Sequence, residues 1–533
     1  VVEIAAGSFD PVFAHPGHLS RPGTSKMLHV HRSGLTARKS ESSAYRALSA
    51  SVPMGRRILY ATPEMADFVK TGGLGEVSAA LPRALRAHYD VRVLIPGYPQ
   101  VRAAFPDMPV VARLDGLAGI PACDLGLAET ADGLRVYVLI APELYERSGT
   151  PYGDSSGDFA DNDVRFARLS LAAADLALGV DSAWSADLLH LHDWQAALAP
   201  AYLAWRGVRL PSVLTVHNLA YQGLFPRDGM HRIGVPESAF QVDGCEFYGQ
   251  LSFLKAGLYY ASQVTTVSET YAREIQTPEM GCGLDGLLRV RASQGRLAGI
   301  LNGIDESWDP SSDPHLALSF EADDWKGKRA NADCVRKDFG MAVSRGPLFA
   351  IVSRLVHQKG IDLSLEAAQT IVAEGGQLVV IGQGEGRFEG ALRGLAKRHP
   401  DSVGVHVGFD EGQARRIFAG SDFLLMPSRF EPCGLAQMYA QRYGSLPIVR
   451  QTGGLADTVE DGGTGFSFAE PSPTGLTGAV RRALDVFGQK KRLNAMRRKA
   501  MGTRFGWDLA AESYADLYAR AIGNNVALRW NAV

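Results

Sequence analysis

Residues 57–77 read RILYATPEMADFVKTGGLGEV: a short apolar run, a connecting stretch, then a glycine-rich turn that opens a helix-like pattern. Far downstream, LPIVRQTGGLADTV at 446–459 repeats the arrangement. Glycines ahead of a helix present backbone N–H groups that no side chain crowds, so each turn could hold an anion. Two such turns in one chain point to a diphosphate ligand held between two structural units.

Outward from the first turn, apolar runs alternate with segments long enough for crossover helices: VRVLIP (91–96), LRVYVLI (134–140), DLLHLHD (187–193), SVLTVHN (212–218) and QVTTVS (263–268). A second series follows Asn302-Gly303: LFAIVSR (348–354), QLVVIG (377–382), VGVHVGF (403–409), DFLLMPS (422–428) and the run at 446–452. Short runs rich in Val, Ile and Leu with helical spacers are the pattern of doubly wound parallel sheets. The expected fold is α/β, with two Rossmann-like domains facing a central cleft. Boundaries are expected at 55–297 and 298–506, with a hinge near Asn302 to Asp305 and a C-terminal helix within 507–533 crossing back to the first domain.

At 533 residues the chain exceeds what one core can organise, and 46% hydrophobic with 21% charged residues is ordinary for a globular protein. Its net charge of -2 argues against a general nucleic-acid binder, so anion binding must be local. No apolar run reaches membrane-spanning length, so no membrane partner is expected. The five cysteines are scattered without zinc-ligand spacing, which makes a reducing cytoplasm the natural setting. Residues 1–54, rich in Ser, Gly, Pro and His, read as a disordered leader, an upstream extension before Met54, or a transit segment, which would place the protein in a plastid.

Ligands of such sheets sit outside the carboxyl ends of the strands. Lys70, beside Thr71, Gly72 and Gly73, could neutralise charge on a departing diphosphate; the alternative is a solvated lysine before a turn. Arg354 and Lys359 follow a strand by one and six residues and could clamp a diphosphate by fork and point charge, or form a plain basic turn. Glu431 in SRFEPCGLAQMYA could accept bonds from sugar hydroxyls or cap the following helix, and Cys433 could touch the ligand or fill space. His217 could bond a sugar hydroxyl or serve the fold; Asp193 could face the ligand or cap the helix beginning near Trp194. No Asp-x-Asp pair stands at these positions to hold Mg²⁺, and no metal or other cofactor is expected.

In the order KTGGLGEV, HDWQAALAPAYL, TVHNLAYQGLF, EFYGQLSFLKAGLYYA, TVSETYAREIQTPE, LNGID, VSRLVHQKGIDL, PSRFEPCGLAQMYA and RQTGGLADTV, the chain resembles the bacterial glycogen synthases and plant starch synthases. The resemblance runs from about Ile58 to near Trp507. It implies the GT-B glycosyltransferase fold, no required metal, and transfer of glucose from ADP-glucose to the non-reducing end of an α-1,4-glucan with retained configuration. It further implies that Lys70, Arg354 and Lys359 hold the diphosphate, with Thr452, Gly453, Gly454 and Leu455 near the phosphates. His217, Asp193, Glu431 and Cys433 are implied at the sugar. Where related glycosyltransferases repeat an acid eight positions after Glu431, this chain has Tyr439, which fits the synthase pattern. Retention without a covalent intermediate is the expected route, the departing phosphate taking the proton of the incoming hydroxyl; double displacement through a carboxylate stays open.

Overall fold

The computed structural model describes residues 55–530. The segment read above as a leader lies outside the described residues. Two sheets carry the fold.

The first has nine strands, in the spatial order Leu297–Gly299, Gln263–Thr266, Ser212–Val216, Leu188–His192, Arg57–Ala61, Asp90–Pro96, Arg135–Ile140, Cys123–Glu129 and Val110–Leu114. The second has six: Val403–Val407, Gln377–Gly382, Leu348–Val352, Phe423–Met426, Leu446–Arg450 and Phe466–Phe468. Every pairing in the second sheet is parallel. In the first, Val110–Leu114 and Cys123–Glu129 pair antiparallel at one edge, which the sequence reading omitted. A turn from Thr130 to Gly133 returns the chain directly to the Arg135–Ile140 strand, so no crossover helix marks this edge. The first sheet also ends at Gly299, two residues past the expected boundary.

Some helices cover the sheets with one apolar stripe, while Asn162–Ala177 is buried on nearly every side. In Gly73–Leu85, Leu74, Val77, Leu81 and Leu85 are buried, each contributing about 2 kcal/mol. Register then aligns the strand ends: Tyr60 lies beside His190, and His192 beside Thr215, so the carboxyl ends of three central strands emerge together.

The chain crosses between the sheets twice, side by side. Ile304 N–H donates to Phe505 O at 2.8 Å, and Gly303 packs so tightly on Trp507 that a side chain there would collide with it. Beyond the second crossing, the helix Trp507–Trp530 returns to the first sheet, where Tyr514, Leu517 and Tyr518 are fully enclosed. Among the described residues no helix is long and apolar enough to cross a membrane.

Candidate active site

Asp193 opens the short helix Asp193–Ala196 directly after a central strand, with its backbone in the left-handed region at φ 53. Such a conformation in a residue other than glycine marks strain held by its surroundings. Its carboxylate does not cap the helix that follows. Instead Oδ1 accepts the backbone N–H of His217 at 2.6 Å, locking together the ends of two adjacent strands. Burial pushes the Asp193 carboxyl up to about 7, with the backbone groups of His217 and Asn218 opposing and the charge of Glu64 adding to the rise.

His217 is joined to His192 by a 3.0 Å bond between its Nε2 and His192 Nδ1. Burial lowers His217 to about 3 and holds His190 and His192 well below the ordinary imidazole range. These rings are therefore neutral, and each can offer one N–H and one lone pair. Behind them, Tyr518 OH reaches His190 Nδ1 at 2.8 Å and His190 Nε2 reaches Thr215 Oγ1 at 2.7 Å. The C-terminal helix thus backs the wall that carries His217.

Lys70, Thr71, Gly72 and Gly73 are exposed. A Cβ added at Gly72 or Gly73 would meet nothing, so these glycines are not required by packing and leave room beside the helix start. Their N–H groups are not all free, however. Glu64, itself buried, accepts from Thr71 N at 2.7 Å, Thr71 Oγ1 at 2.8 Å and Gly72 N at 3.3 Å, and Tyr152 OH holds its other side at 2.7 Å. Lys70 pairs with Glu76, whose second oxygen accepts from Tyr439 OH of the second sheet's unit at 3.0 Å. Tyr439 also stacks on Trp308 at 3.7 Å.

On the facing side, Lys359 and Glu431 form a 2.5 Å ion pair that is largely enclosed, and Ser428 Oγ donates to the same carboxylate oxygen at 2.9 Å. Glu431 is therefore a partner of Lys359 and not a helix cap; the helix Ala436–Arg442 begins without a side-chain cap. Arg354 stands apart and exposed, its guanidinium bonded among the described residues only to Gln358 at 3.4 Å, so the two cations are not gathered into one clamp. Cys433 is buried and its thiol is pushed up to about 12, chiefly by burial, which leaves it neutral.

The second glycine turn differs from the first despite its letters. Thr452 through Leu455 are buried, and Cβ atoms at Gly453 and Gly454 would strike the carbonyls of Glu431 and Cys433. Here glycine lets the EPCG backbone lie directly on the turn. The N–H of Gly453 is bonded at 3.1 Å to the Glu274 carboxylate from the first sheet's unit, Thr452 Oγ1 donates to it at 3.0 Å, and Gly454 N–H goes to Glu431 O. The reading of both turns as bare N–H cradles thus gives way: each already holds a carboxylate of the chain itself.

Glu274 belongs to a seam that also includes Ser268 Oγ to Pro432 O at 2.6 Å and Thr270 Oγ1 to Asp457 at 2.5 Å. The seam brings the EPCG segment against the first sheet's strand ends, so residues from both units share one cleft. Sequence reasoning missed three carboxylates: Glu64 stands three residues past the Arg57–Ala61 strand and Asp457 inside the second glycine turn, so both had a signal beside them, whereas Glu274, at the end of the helix Glu269–Glu274, had neither. Away from this cleft, a hollow of about 460 Å³ lined by Phe105, Met108, Leu127 and Arg135 opens at the amino ends of the strands, the end opposite the chemistry-bearing groups.

Residues 57–290 match a family model described as starch synthase catalytic domain, and residues 340–500 one described as glycosyl transferases group 1. The chain is 62% identical over 458 residues to glycogen synthase 1 of Bradyrhizobium diazoefficiens, spanning 86% of this chain and 99% of that one. It is 57% identical over 478 residues to the glycogen synthase of Pseudomonas syringae pv. syringae, spanning 89% and 99%. Among solved structures, it is similar to the catalytic domain of starch synthase IV from Arabidopsis thaliana bound to ADP and acarbose, with TM-score 0.78 and 32% identity over 88% of this chain and 100% of that one. Sucrose-phosphate synthase from Thermosynechococcus elongatus, at TM-score 0.55 and 17% identity over 88% and 100%, shares the fold. The chain belongs to the glycogen and starch synthase family and is a GT-B glucosyltransferase of glycogen or starch synthesis.

Proposed function

We propose that the chain transfers glucose from ADP-glucose to the non-reducing end of an α-1,4-glucan with retention of anomeric configuration. The observation that carries this reading is the Lys359–Glu431 pair set in a seam shared by both units, with neutral His217 and the Asp193 carboxyl on the opposite wall. The donor assignment draws on the bacterial glycogen synthases and on the starch synthase structure bound to ADP.

Breaking the anomeric bond places positive character on the sugar and negative charge on the departing diphosphate. Lys359, with Arg354 swinging in from the exposed side and Lys70 from the facing turn, is assigned to the diphosphate. Its pairing with Glu431 holds the ammonium in place before the ligand arrives, so little reorganisation remains. As the phosphate takes over that cation, the Glu431 carboxylate becomes free to accept hydrogen bonds from hydroxyls of the sugar. His217 offers its outer ring nitrogen to a sugar hydroxyl, and Asp193 bonds another.

The departing phosphate oxygen then takes the proton of the incoming hydroxyl on the face it leaves, which retains configuration. Residues Thr452 to Leu455 serve by seating the EPCG backbone, a positioning role. The domain limits proposed are 55–299 and 300–506, with the terminal helix belonging to the first. Five free cysteines and bacterial relatives fit a cytoplasmic setting.

The test is incubation of purified protein with glycogen and either ADP-glucose or UDP-glucose, following nucleoside diphosphate release, glucan growth and the anomeric configuration of the new bond. Growth from ADP-glucose with α-linkage is expected. Growth from UDP-glucose alone would reverse the donor assignment, and a glycosyl adduct trapped on Glu431 or Asp193 would replace the same-face route by double displacement.

A further inference from the structure

We infer that the exposed rings of Tyr221 and Tyr248 form a platform for the incoming glucan chain on the lip of the first sheet; this rests on the acceptor reading above. Tyr221 follows His217 by four residues, and its place is fixed on several sides. Its N–H donates to Asn218 O at 3.2 Å, the neighbouring Gln222 sends Nε2 to Cys282 O at 2.9 Å, and Gly223 lies against the indole of Trp194, the residue after Asp193. The residue is 58% exposed.

Tyr248 reaches the same lip from a small three-stranded sheet. The strand Leu224–Pro226, continuing from the Tyr221 loop, pairs with Gln250–Ser252, which pairs with Glu246–Phe247. Tyr248 and Gly249 form the two-residue turn of that last hairpin, with φ 48 and φ 81. Turns with positive φ at both positions favour Asn, Asp or Gly at the first, and a bulky aromatic there is a steric outlier. Tyr248 is nevertheless 82% exposed, with an edge contact to Phe247 at 4.8 Å and Gly283 close beneath. A strained position occupied by a large ring that buries almost nothing points to a ligand and away from the core.

The chemistry of the lip selects the ligand class. A pyranose ring has an apolar face of C–H groups and a rim of hydroxyls, matching an aromatic face with a phenol at its edge. An α-1,4-glucan repeats that face along its length, so two rings separated along the lip can engage successive stretches of one chain. Gln222, Cys282 and Gly283, the residues that link the two tyrosines, are uncharged, which suits a neutral polyol over a phosphate-bearing ligand.

The test uses Tyr248→Asn, which removes the ring while supplying a residue the turn favours, together with Tyr221→Ala and Tyr248→Phe. Calorimetric binding of maltoheptaose is measured without donor, then acceptor and donor KM separately. The expected result is about three- to tenfold weaker maltoheptaose binding and higher acceptor KM for the first two variants. Tyr248→Phe, which keeps the ring, stays near the unaltered protein, and the KM for ADP-glucose moves less than about twofold in all three. Unchanged maltoheptaose affinity in both ring-removing variants, or a donor KM that rises as much as the acceptor KM, overturns the platform. Because binding is read without turnover, a wrong donor assignment leaves this result interpretable. Failure of the unaltered protein to bind any glucan would sink the acceptor reading first.

Discussion

Replacing Asp193 by Asn removes a charge while preserving shape, the oxygen that accepts the His217 N–H, and tolerance of the left-handed backbone at φ 53. The carboxyl is pushed up to about 7 in the folded protein, whereas an unfolded aspartate titrates near 3.9. The folded state therefore binds this proton more tightly than the unfolded state does. Stability associated with the group is fully present below about pH 4 and falls as pH rises through the window up to about 7. A gap of about three units corresponds to a ceiling of about 4 kcal/mol, and roughly 3 kcal/mol of it falls between pH 5 and pH 8. Water entering the cleft beside the half-buried carboxylate lowers these figures, so the expected shift is about 2 to 3 kcal/mol. Urea unfolding of both proteins at pH 5, 6, 7 and 8 measures it. Asp193→Asn is expected to gain on the unaltered protein steadily with pH, while losing turnover. A stability difference that stays flat from pH 5 to pH 8 refutes the burial argument, since any constant offset from the amide cannot mimic a titration.

Lys359→Ala should lower kcat by about 10²- to 10³-fold through loss of one fixed cation, and a cycle with Glu431→Gln should show strong coupling because the remaining carboxylate is otherwise buried alone. A near-normal kcat would remove Lys359 from the reaction. Gly454→Ala, whose methyl meets the Cys433 carbonyl, should cost about 3 kcal/mol in unfolding experiments, whereas Gly72→Ala should cost less than about 0.5 kcal/mol and act on donor KM. Equal destabilisation by the two would contradict the difference drawn between the turns. Glu274→Ala should speed hydrogen exchange at the Gly453 amide about tenfold, and an unchanged rate would mean that the seam does not depend on that carboxylate. With iodoacetamide at pH 8, exposed Cys282 should be labelled while Cys433, buried and pushed up to about 12, stays intact by peptide mass mapping.

The central strands are legible because a sheet covered on both faces demands a continuous apolar run, as in Leu348–Val352 and in residues 378–381 of Gln377–Gly382. The antiparallel edge is not, since Cys123–Glu129 carries Asp124, Gly126 and Glu129 and returns by a short turn with no helix to announce it. Lys359, Glu431, Asp193 and His217 could be picked out as strand-end residues of suitable chemistry. Their partners could not: Glu431 meets Lys359, and Glu274 meets Gly453, across sequence distances that leave no periodic trace. The two TGG turns make the limit plain. Identical letters stand in an open cleft at Gly72 and beneath another backbone at Gly453, and only the fold decides which.

The return of the final helix to the first sheet sets an order of events during synthesis. Tyr514, Leu517 and Tyr518 complete the core built on residues 57–299, and Tyr518 closes over His190 behind the His217 wall. A ribosome releases these residues only after the entire second unit, whose own core needs none of them. The half of the protein that is made first is therefore the half that is finished last. Until Tyr514 to Tyr518 emerge, its unfinished face is an exposed apolar surface, and a nascent chain halted before Trp507 would carry a folded second unit beside an incomplete first one.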